Sequence, residues 1–509
     1  MKIIFSLFAL FLFVFTFTSR GGYDGYELEN FLTARNLTLN QTLTLEAGHY
    51  GLPGIADTND GLPHYTRHGL LQPILEVPFF ALGHIFHGRV PSPKVETSIS
   101  NIASLDAAEL IAVSLLNIVL SSLIVVFIYL TSLALFKRRD ISIISALIAG
   151  FATVIWPYSA IGMEPLLAFS FLTGFYFLLI NKKRSSFINL FLAGIAIAFL
   201  INSKSYGFYL AAPLIFYSLL GIKKQRVKDW VVFTATVGVG LVAFVWYNEV
   251  RFNNLLGFSP GNISTSPSAI AAAITAFTIS FGKSFFVYSP ILVLSLFALK
   301  KFFHEYRAEF IVWLAAAVLI VGTLFQYWFL PSDEMWGPRY LVLFVPILAI
   351  LSAVKLVDLL KSVTGRVLSV VLLCVSIWVQ VVGLSFFGTD PLKISFQAGA
   401  RNIDEVNYVP EFSPVYIGSL MLISEVNKSF TGNSLTWSKS EQTSWSGSGQ
   451  IPKVGPPVNL SRDGGLVPLV FRFFSKTPAL AMGILFSILS ISLVLAYLLA
   501  KPYLRQLRR

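Results

Sequence analysis

Residues 107–136 read AAELIAVSLLNIVLSSLIVVFIYLTSLALF, and Lys137-Arg138-Arg139 follow at once. Past Glu109 the stretch carries no charge until Lys137. It exceeds the roughly 20 residues a helix needs to cross about 30 Å of hydrocarbon. An apolar run of this length closed by a basic cluster reads as a membrane span that ends on the cytoplasmic side.

Working outward, further apolar runs fall near 3–18, 141–158, 163–180, 187–201, 206–222, 230–248, 284–299, 308–328, 341–360, 367–387 and 478–500. With 107–136 they make about twelve expected transmembrane helices. Basic clusters recur at alternate junctions: Lys182-Lys183-Arg184, Lys223-Lys224-Gln225-Arg226 with Lys228, Lys300-Lys301, then Lys355, Lys361 and Arg366, and Arg505, Arg508 and Arg509 at the end. Twelve spans put all of these, and Lys2, on one side, so both termini are expected in the cytoplasm. Composition agrees. The 509 residues are 55% hydrophobic and 13% charged, with a mean hydropathy of +0.71, whereas a soluble domain carries about 25% charged residues. The fold class is therefore an all-α polytopic membrane protein.

The net charge of +12 lies at the span ends, so it implies no nucleic-acid partner. Cys374 is the only cysteine, which excludes an intrachain disulfide, a CxxC pair and a thiolate metal site. No GxGxxG and no Walker-type phosphate loop occurs. One stretch is rich in histidine, with His64, His68, His84 and His87. The Asn-x-Ser/Thr sequons at Asn36, Asn40, Asn262, Asn427 and Asn459 all fall in expected outer loops, in agreement with the orientation. The first span reads as an uncleaved anchor or as a cleaved signal peptide; no small-x-small site precedes Arg20.

Three parts follow. Residues 1–387 form a transmembrane module whose first outer loop covers 20–105. Within that loop Leu70 to Phe86 is too short and too broken by Pro73, Glu76 and Pro78 to span, and reads as an interfacial helix or a helix buried under the loop. Residues 388–476, rich in Ser, Gly, Pro and Trp, are expected to be a loop-rich outer cap, with 431–457 disordered by composition. Residues 477–509 hold the last span and a basic cytoplasmic tail.

Polar residues in the outer loops are the informative ones, because placing them at the membrane edge is costly. Asp24 follows the first apolar run within Gly21-Gly22-Tyr23-Asp24-Gly25-Tyr26. It reads as a base at the lipid–water boundary or as a hydrated flank. The short loops carry Trp156-Pro157-Tyr158 with Glu164-Pro165, Asn202-Ser203-Lys204-Ser205-Tyr206, Tyr247-Asn248-Glu249-Val250-Arg251-Phe252, Gly282-Lys283, Tyr288-Ser289-Pro290, and Asp333-Glu334-Met335-Trp336-Gly337-Pro338-Arg339-Tyr340. Acids facing Lys and Arg on one rim suit an anionic lipid headgroup: Arg offers several N–H donors to phosphate, and Lys a mobile point charge. Taken singly, each side chain also reads as a snorkelling or capping residue.

In order, the series from Asp24 through Ala34-Arg35, Tyr65-Thr66-Arg67-His68-Gly69, Pro157-Tyr158-Ser159 with Glu164-Pro165, Tyr247-Asn248, Arg251-Phe252, Lys283 to Pro290 and Trp336 to Tyr340 resembles the C superfamily (GT-C) of integral membrane glycosyltransferases. The branch is that of the protein mannosyltransferases and the lipid A aminoarabinose transferases. The resemblance runs from residue 1 to about 350 and leaves 388–476 unmatched. Two departures stand out. Asp24 is followed by Gly25, where many relatives pair two acids, so the next acids are Glu27 and Glu29. Lys204-Ser205 stands where Arg-Pro is often found.

The resemblance implies transfer of a sugar from a polyprenyl-phosphate donor to a lipid, glycan or protein acceptor, with inversion, on the outer face of a prokaryotic cell membrane. In that reading Asp24 takes the acceptor proton, and Lys204 and Arg339 hold the donor phosphate. Glu164 or Glu27 serves as second acid, orienting the acceptor or binding a divalent metal. His64, Arg67, His68, Tyr158 and Lys283 support the site; the histidines read equally as residues of a hydrated interface. The rival readings are a transporter or lipid flippase, which predicts charges deep in the spans and an internal repeat, and a non-enzymatic assembly platform built on the large loops.

Overall fold

The structure, a computed structural model, describes residues 2–19, 25–45, 65–66, 68–89, 106–159, 164–220, 226–255, 267–323, 335–385, 395–396 and 398–431. Among them the architecture is helical, with no β-strand. Five stretches are long and apolar enough to cross a membrane: Ala108–Phe136, Glu164–Lys183, Val227–Phe252, Arg339–Leu359 and Val363–Ser385. Shorter apolar helices surround them, and the chain is an integral multi-pass membrane protein. The span expected at 478–500 lies outside the described residues.

Helix α1 (Lys2–Thr18) enters the bundle and packs on α4 (Ala107–Phe136) and α5 (Arg139–Phe151). A Cβ on Gly150 would stand 2.0 Å from the Phe11 ring, so α1 and α5 meet at a position only glycine permits. Small residues play the same part deeper in. Gly240 of α10 (Val227–Phe252) lies against Ala198 of α8 (Phe187–Ser203), and Gly194 of α8 against Thr236. Close backbone approach of this kind replaces the hydrophobic effect, which does not drive helix association within lipid. The opposite face of α10 leaves Val231, Val239, Val242 and Trp246 exposed, as a lipid-facing surface does.

Two ends of the bundle differ in chemistry. At one end Lys182, closing α7 (Glu164–Lys183), pairs with Glu309 of α15 (Arg307–Thr323) at 2.8 Å, and Tyr217 of α9 (Gly207–Leu219) donates to the same carboxylate at 2.7 Å. Lys183 donates to the Ala134 carbonyl near the end of α4, and Tyr306 Oη donates to the Leu135 carbonyl at 2.9 Å. Arg138 feels the charge of Asp358 near the end of α16 (Val345–Leu359). Basic junctions separated by hundreds of residues thus gather together, as their alternation in the sequence requires.

Some runs expected to be continuous are broken. The run 141–158 divides into α5 and the single turn α6 (Ile155–Tyr158). The run 284–299 becomes α12 (Phe285–Tyr288), a 3-10 turn at Pro290–Leu292, α13 (Val293–Leu296) and the start of α14 (Leu299–Glu305), because Pro290 has no N–H to continue the helix from α12. Apolar α11 (Pro267–Ile279), which precedes them, was not expected. Neither were α18 (Ile403–Tyr408) and α19 (Pro414–Thr431), both inside the segment read as a loop-rich cap. Helix α19 packs along α17 (Val363–Ser385), where Trp378 Nε1 donates to Ser419 Oγ at 2.9 Å.

In the first loop, α2 (Gly25–Leu39) and α3 (Leu71–His84) pack on each other, and α3 runs back along α4. At 30 residues α4 is about 45 Å long, more than a hydrocarbon core needs. Its first turns therefore have length to spare, and α3 lies against them. One face of α3 is buried, including Gln72, Glu76 and Phe80, while Ile74, Leu82, Ile85 and Phe86 are exposed at its rim.

Candidate functional site

At the end of the bundle opposite the basic junctions, three elements converge. Glu164 opens α7, Lys204 directly follows α8, and Arg339 opens the 3-10 turn Arg339–Phe344 that leads into α16. Lys204 Nζ donates to Glu164 Oε1 at 2.6 Å, and both side chains are buried. Arg339 acts electrostatically on the same carboxylate. Its Nη2 donates to Tyr340 Oη at 2.7 Å, and its guanidinium lies 4.7 Å from the centre of that ring. Lys204 Nζ in turn sits 5.8 Å from the centre of the Tyr206 ring, and the Tyr206 and Tyr340 rings meet edge-on at 6.4 Å. Two aromatic walls therefore flank the two cations.

Glu164 Oε2 is buried and accepts no hydrogen bond from the described residues. An orphaned carboxylate oxygen costs on the order of 1–3 kcal/mol, and such atoms mark places where a ligand or ion binds.

The turn before Arg339 is held from three sides. Tyr158 Oη donates to the Trp336 carbonyl at 2.9 Å, and buried Lys283 Nζ donates to the Met335 carbonyl at 2.7 Å. The Tyr288 ring packs edge-on to Trp336 at 4.9 Å. Gly337 has φ +65°, and a Cβ there would lie 2.6 Å from Tyr288 Cδ1, so the turn needs glycine for its backbone and for its space. Tyr158 and Lys283, expected as site support, thus act on the backbone that presents Arg339. Next to Lys283, the N–H of Gly282 donates to the Asn407 carbonyl of α18 at 3.0 Å, which brings the 388–476 segment to the edge of the site.

A second polar cluster adjoins the first. Buried Thr66 Oγ1 donates toward Glu29 Oε2 at 3.4 Å and Asn30 Oδ1 at 3.3 Å, both on α2. Arg251 Nη1 donates to the carbonyls of Thr66 at 3.2 Å and His68 at 2.7 Å, and Nη2 to Asn248 Oδ1 at 2.5 Å. The guanidinium lies 4.2 Å from the centre of the Tyr247 ring. Gly69 then touches the end of α8: a Cβ there would stand 2.0 Å from the Asn202 carbonyl oxygen, two residues before Lys204.

Of the expected site residues, Glu164, Lys204 and Arg339 come together, Tyr158 and Lys283 brace them, and His68 sits in the adjoining cluster. Asp24, His64 and Arg67 lie outside the described residues, as does the side chain of Glu27, whose backbone is in α2. Glu29, Asn30 and Arg251 were not among the expected site residues. The sequence carries a signal for Arg251, since its Asn-x-x-Arg spacing puts Asn248 and Arg251 on one helical face.

Residues 66–263 match the sequence model of the family described as dolichyl-phosphate-mannose-protein mannosyltransferase. This is a branch that the motif series resembles. The matched range includes Thr66, Glu164, Lys204 and Arg251. No curated protein matches the chain. Similar solved structures include the Archaeoglobus fulgidus oligosaccharyltransferase in complex with Zn and sulfate, at 12% identity and a TM-score of 0.46, covering 78% of this chain and 56% of that one. The same archaeal enzyme, AglB, in complex with an inhibitory peptide and a dolichol-phosphate is similar at 12% identity and 0.46, covering 79% and 58%. ArnT from Cupriavidus metallidurans bound to undecaprenyl phosphate is similar at 12% identity and 0.41, covering 81% and 74%. The chain spans a little over half the length of the archaeal enzyme.

Proposed function

We propose that this chain is a membrane glycosyltransferase that moves a sugar from a polyprenyl-phosphate donor to a lipid, glycan or protein acceptor. The reaction takes place on the outer face of a prokaryotic cell membrane. The observation that carries the reading is the buried Glu164–Lys204 pair with Arg339 acting on it and Glu164 Oε2 accepting no hydrogen bond from the described residues. Two cations gathered beside Glu164 at the membrane edge suit an incoming phosphate anion, because charge-assisted N–H donors to phosphate are the strong ones. Lysine has three donors, so Lys204 can keep Glu164 and still bind a phosphate oxygen. Arg339, held by its braced turn, supplies a directional N–H pair.

The reaction is a single displacement. An acceptor hydroxyl oxygen bonds to the anomeric carbon as the bond from that carbon to the phosphate oxygen breaks, and the configuration inverts. The hydroxyl proton passes to the Asp24 carboxylate, and the electron pair leaves with the lipid phosphate. Asp24 directly precedes α2, the helix whose Glu29 joins the cluster beside Asn202 and Lys204. Fixed positive charge in a low-dielectric site stabilises the departing anion far better than water does. Glu164 Oε2 is suited to orient the acceptor hydroxyl. One lysine-paired carboxylate does not make a metal site by itself. A divalent ion there would draw on Asp24 and Glu27 as well.

The test incubates purified protein in lipid with a panel of labelled polyprenyl-phosphate sugars and candidate acceptors. Wild type should transfer one of them with inversion, and Arg339→Ala should slow transfer by about 10²–10³-fold. Absence of transfer from every donor overturns the reading. Undiminished transfer by Asp24→Asn removes Asp24 from the role of base.

A further inference from the structure

The histidine-rich stretch contains a pair that the transfer reaction does not use. His84 ends α3, and His87 lies in the turn after it. Both are brought over the first turn of α4 by a contact with no slack: a Cβ on Gly83 would stand 2.7 Å from the Ala108 carbonyl oxygen and 2.8 Å from Ala112 Cβ. There His84 Nδ1 lies 2.7 Å, and His87 Nδ1 2.9 Å, from one oxygen of the buried Glu109 carboxylate. The three groups place one metal-ligating atom each within 4.8 Å of one another.

We propose that His84, His87 and Glu109 bind a zinc ion that clasps α3 to the start of α4. Two imidazole nitrogens and one carboxylate oxygen form a donor set suited to Zn2+, which takes such ligands at about 2.0–2.2 Å. Around a tetrahedral ion of that size the ligand atoms stand roughly 3.3 Å apart. The nitrogen–oxygen contacts therefore open by about half an ångström when the ion enters, a movement that half-exposed imidazoles make by small side-chain rotations. As simple hydrogen bonds, the same geometry asks one carboxylate oxygen to accept from two rings.

The surroundings hold the donors in place. Phe80 stacks on the His84 ring at 5.7 Å. Asp106 Oδ2 accepts from the Gly88 N–H at 2.6 Å and fixes the turn that carries His87. Its Oδ1 accepts from the N–H groups of Ala108 and Glu109 and caps α4. With its oxygens so engaged, Asp106 orients the site and a water completes the coordination.

The site is separate from the Glu164–Lys204 pair. Leu116 and Leu120 are the α4 residues that pack with Leu166, close to Glu164. Glu109 is seven and eleven residues before them, or about 10–16 Å along the helix. The ion would join the two flanks of the first loop, because α3 follows directly on the Tyr65–Gly69 stretch that Arg251 holds.

The test uses the full chain in detergent, with any purification tag removed and the protein stripped by chelator. After loading with zinc and desalting, wild type should retain about one zinc per chain and show nitrogen ligation from imidazole in its X-ray absorption spectrum. Zinc should raise its unfolding temperature, and renewed chelation should lower it. His84→Gln with His87→Gln should weaken zinc binding at least about tenfold and abolish the thermal shift. Zinc-free wild type overturns the proposal, and so does equal retention by the double variant, which would place the ion elsewhere. Should the double variant fail to fold, His87→Gln alone must lower occupancy; unchanged occupancy is equally fatal.

Discussion

Lys204 Nζ lies 2.6 Å from Glu164 Oε1, joining two buried residues that close one helix and open another at the same end of the bundle. Such a pair contributes little net stability, because desolvating two charges offsets most of their attraction. Removing one partner is a different matter. Glu164→Gln or Lys204→Met should each cost up to about 3–5 kcal/mol by taking one member of the buried pair from the other. The double variant should recover a large part of that loss while remaining inactive in sugar transfer. Thermal unfolding of the four proteins in one detergent measures the coupling, and simple additivity would contradict a direct ion pair.

Gly337 offers a second handle on the same site. Its φ of +65° costs any other residue about 1 kcal/mol or more. The missing space beside Tyr288 adds to that. Gly337→Ala should therefore shift the turn that presents Arg339. Tyr158→Phe, which removes the hydrogen bond to the Trp336 carbonyl, should cost about 1 kcal/mol. We expect Gly337→Ala to reduce transfer by more than its loss of stability explains. Equal losses in the two assays would show that the turn serves the fold alone.

The helical, multi-pass character was legible because it rests on local chemistry, the long apolar runs. That Glu164, Lys204 and Arg339 would meet was legible only as a set: singly each reads as a snorkelling or capping residue, and it was their gathering in short loops on one rim that marked them. What stayed hidden depended on packing between distant residues. Nothing in the sequence around Tyr158 shows that its hydroxyl reaches residue 336, or that Lys283 serves the carbonyl of Met335. Glu29 looked like one of three neighbouring acids until the fold set it against Thr66. Helix α19 was concealed by composition, since its polar flanks made Pro414–Thr431 resemble the loops beside it.

Arg251→Lys should not behave as a conservative change. The guanidinium serves two carbonyls and the Asn248 side chain at once, over the face of Tyr247. An ammonium cannot reproduce that planar fork. Each acceptor left unpaired costs about 1–3 kcal/mol, so the variant should loosen residues 65–69. Faster amide exchange at Thr66 and His68 is the expected readout, with transfer reduced in parallel. Unchanged protection there would mean that Arg251 does not hold the stretch.

Asp106 gives a pH dependence whose sign can be worked out. Burial alone would raise its carboxyl, but the N–H groups of Gly88, Ala108 and Glu109, with His87 nearby, outweigh that and hold it below the ordinary value of 3.8. The folded state thus keeps Asp106 charged where the unfolded chain has begun to take up its proton. The stabilisation is complete above the ordinary value and fades as pH falls through the folded one. Asp106→Asn keeps a side-chain oxygen for capping and removes the charge, so its stability deficit should be full near neutrality and shrink in acid. Chelator-treated wild type and variant, unfolded side by side at pH 7 and at pH 3.5 or lower, decide the point. A deficit that stays constant or grows in acid would mean that the charge on Asp106 does not stabilise the fold.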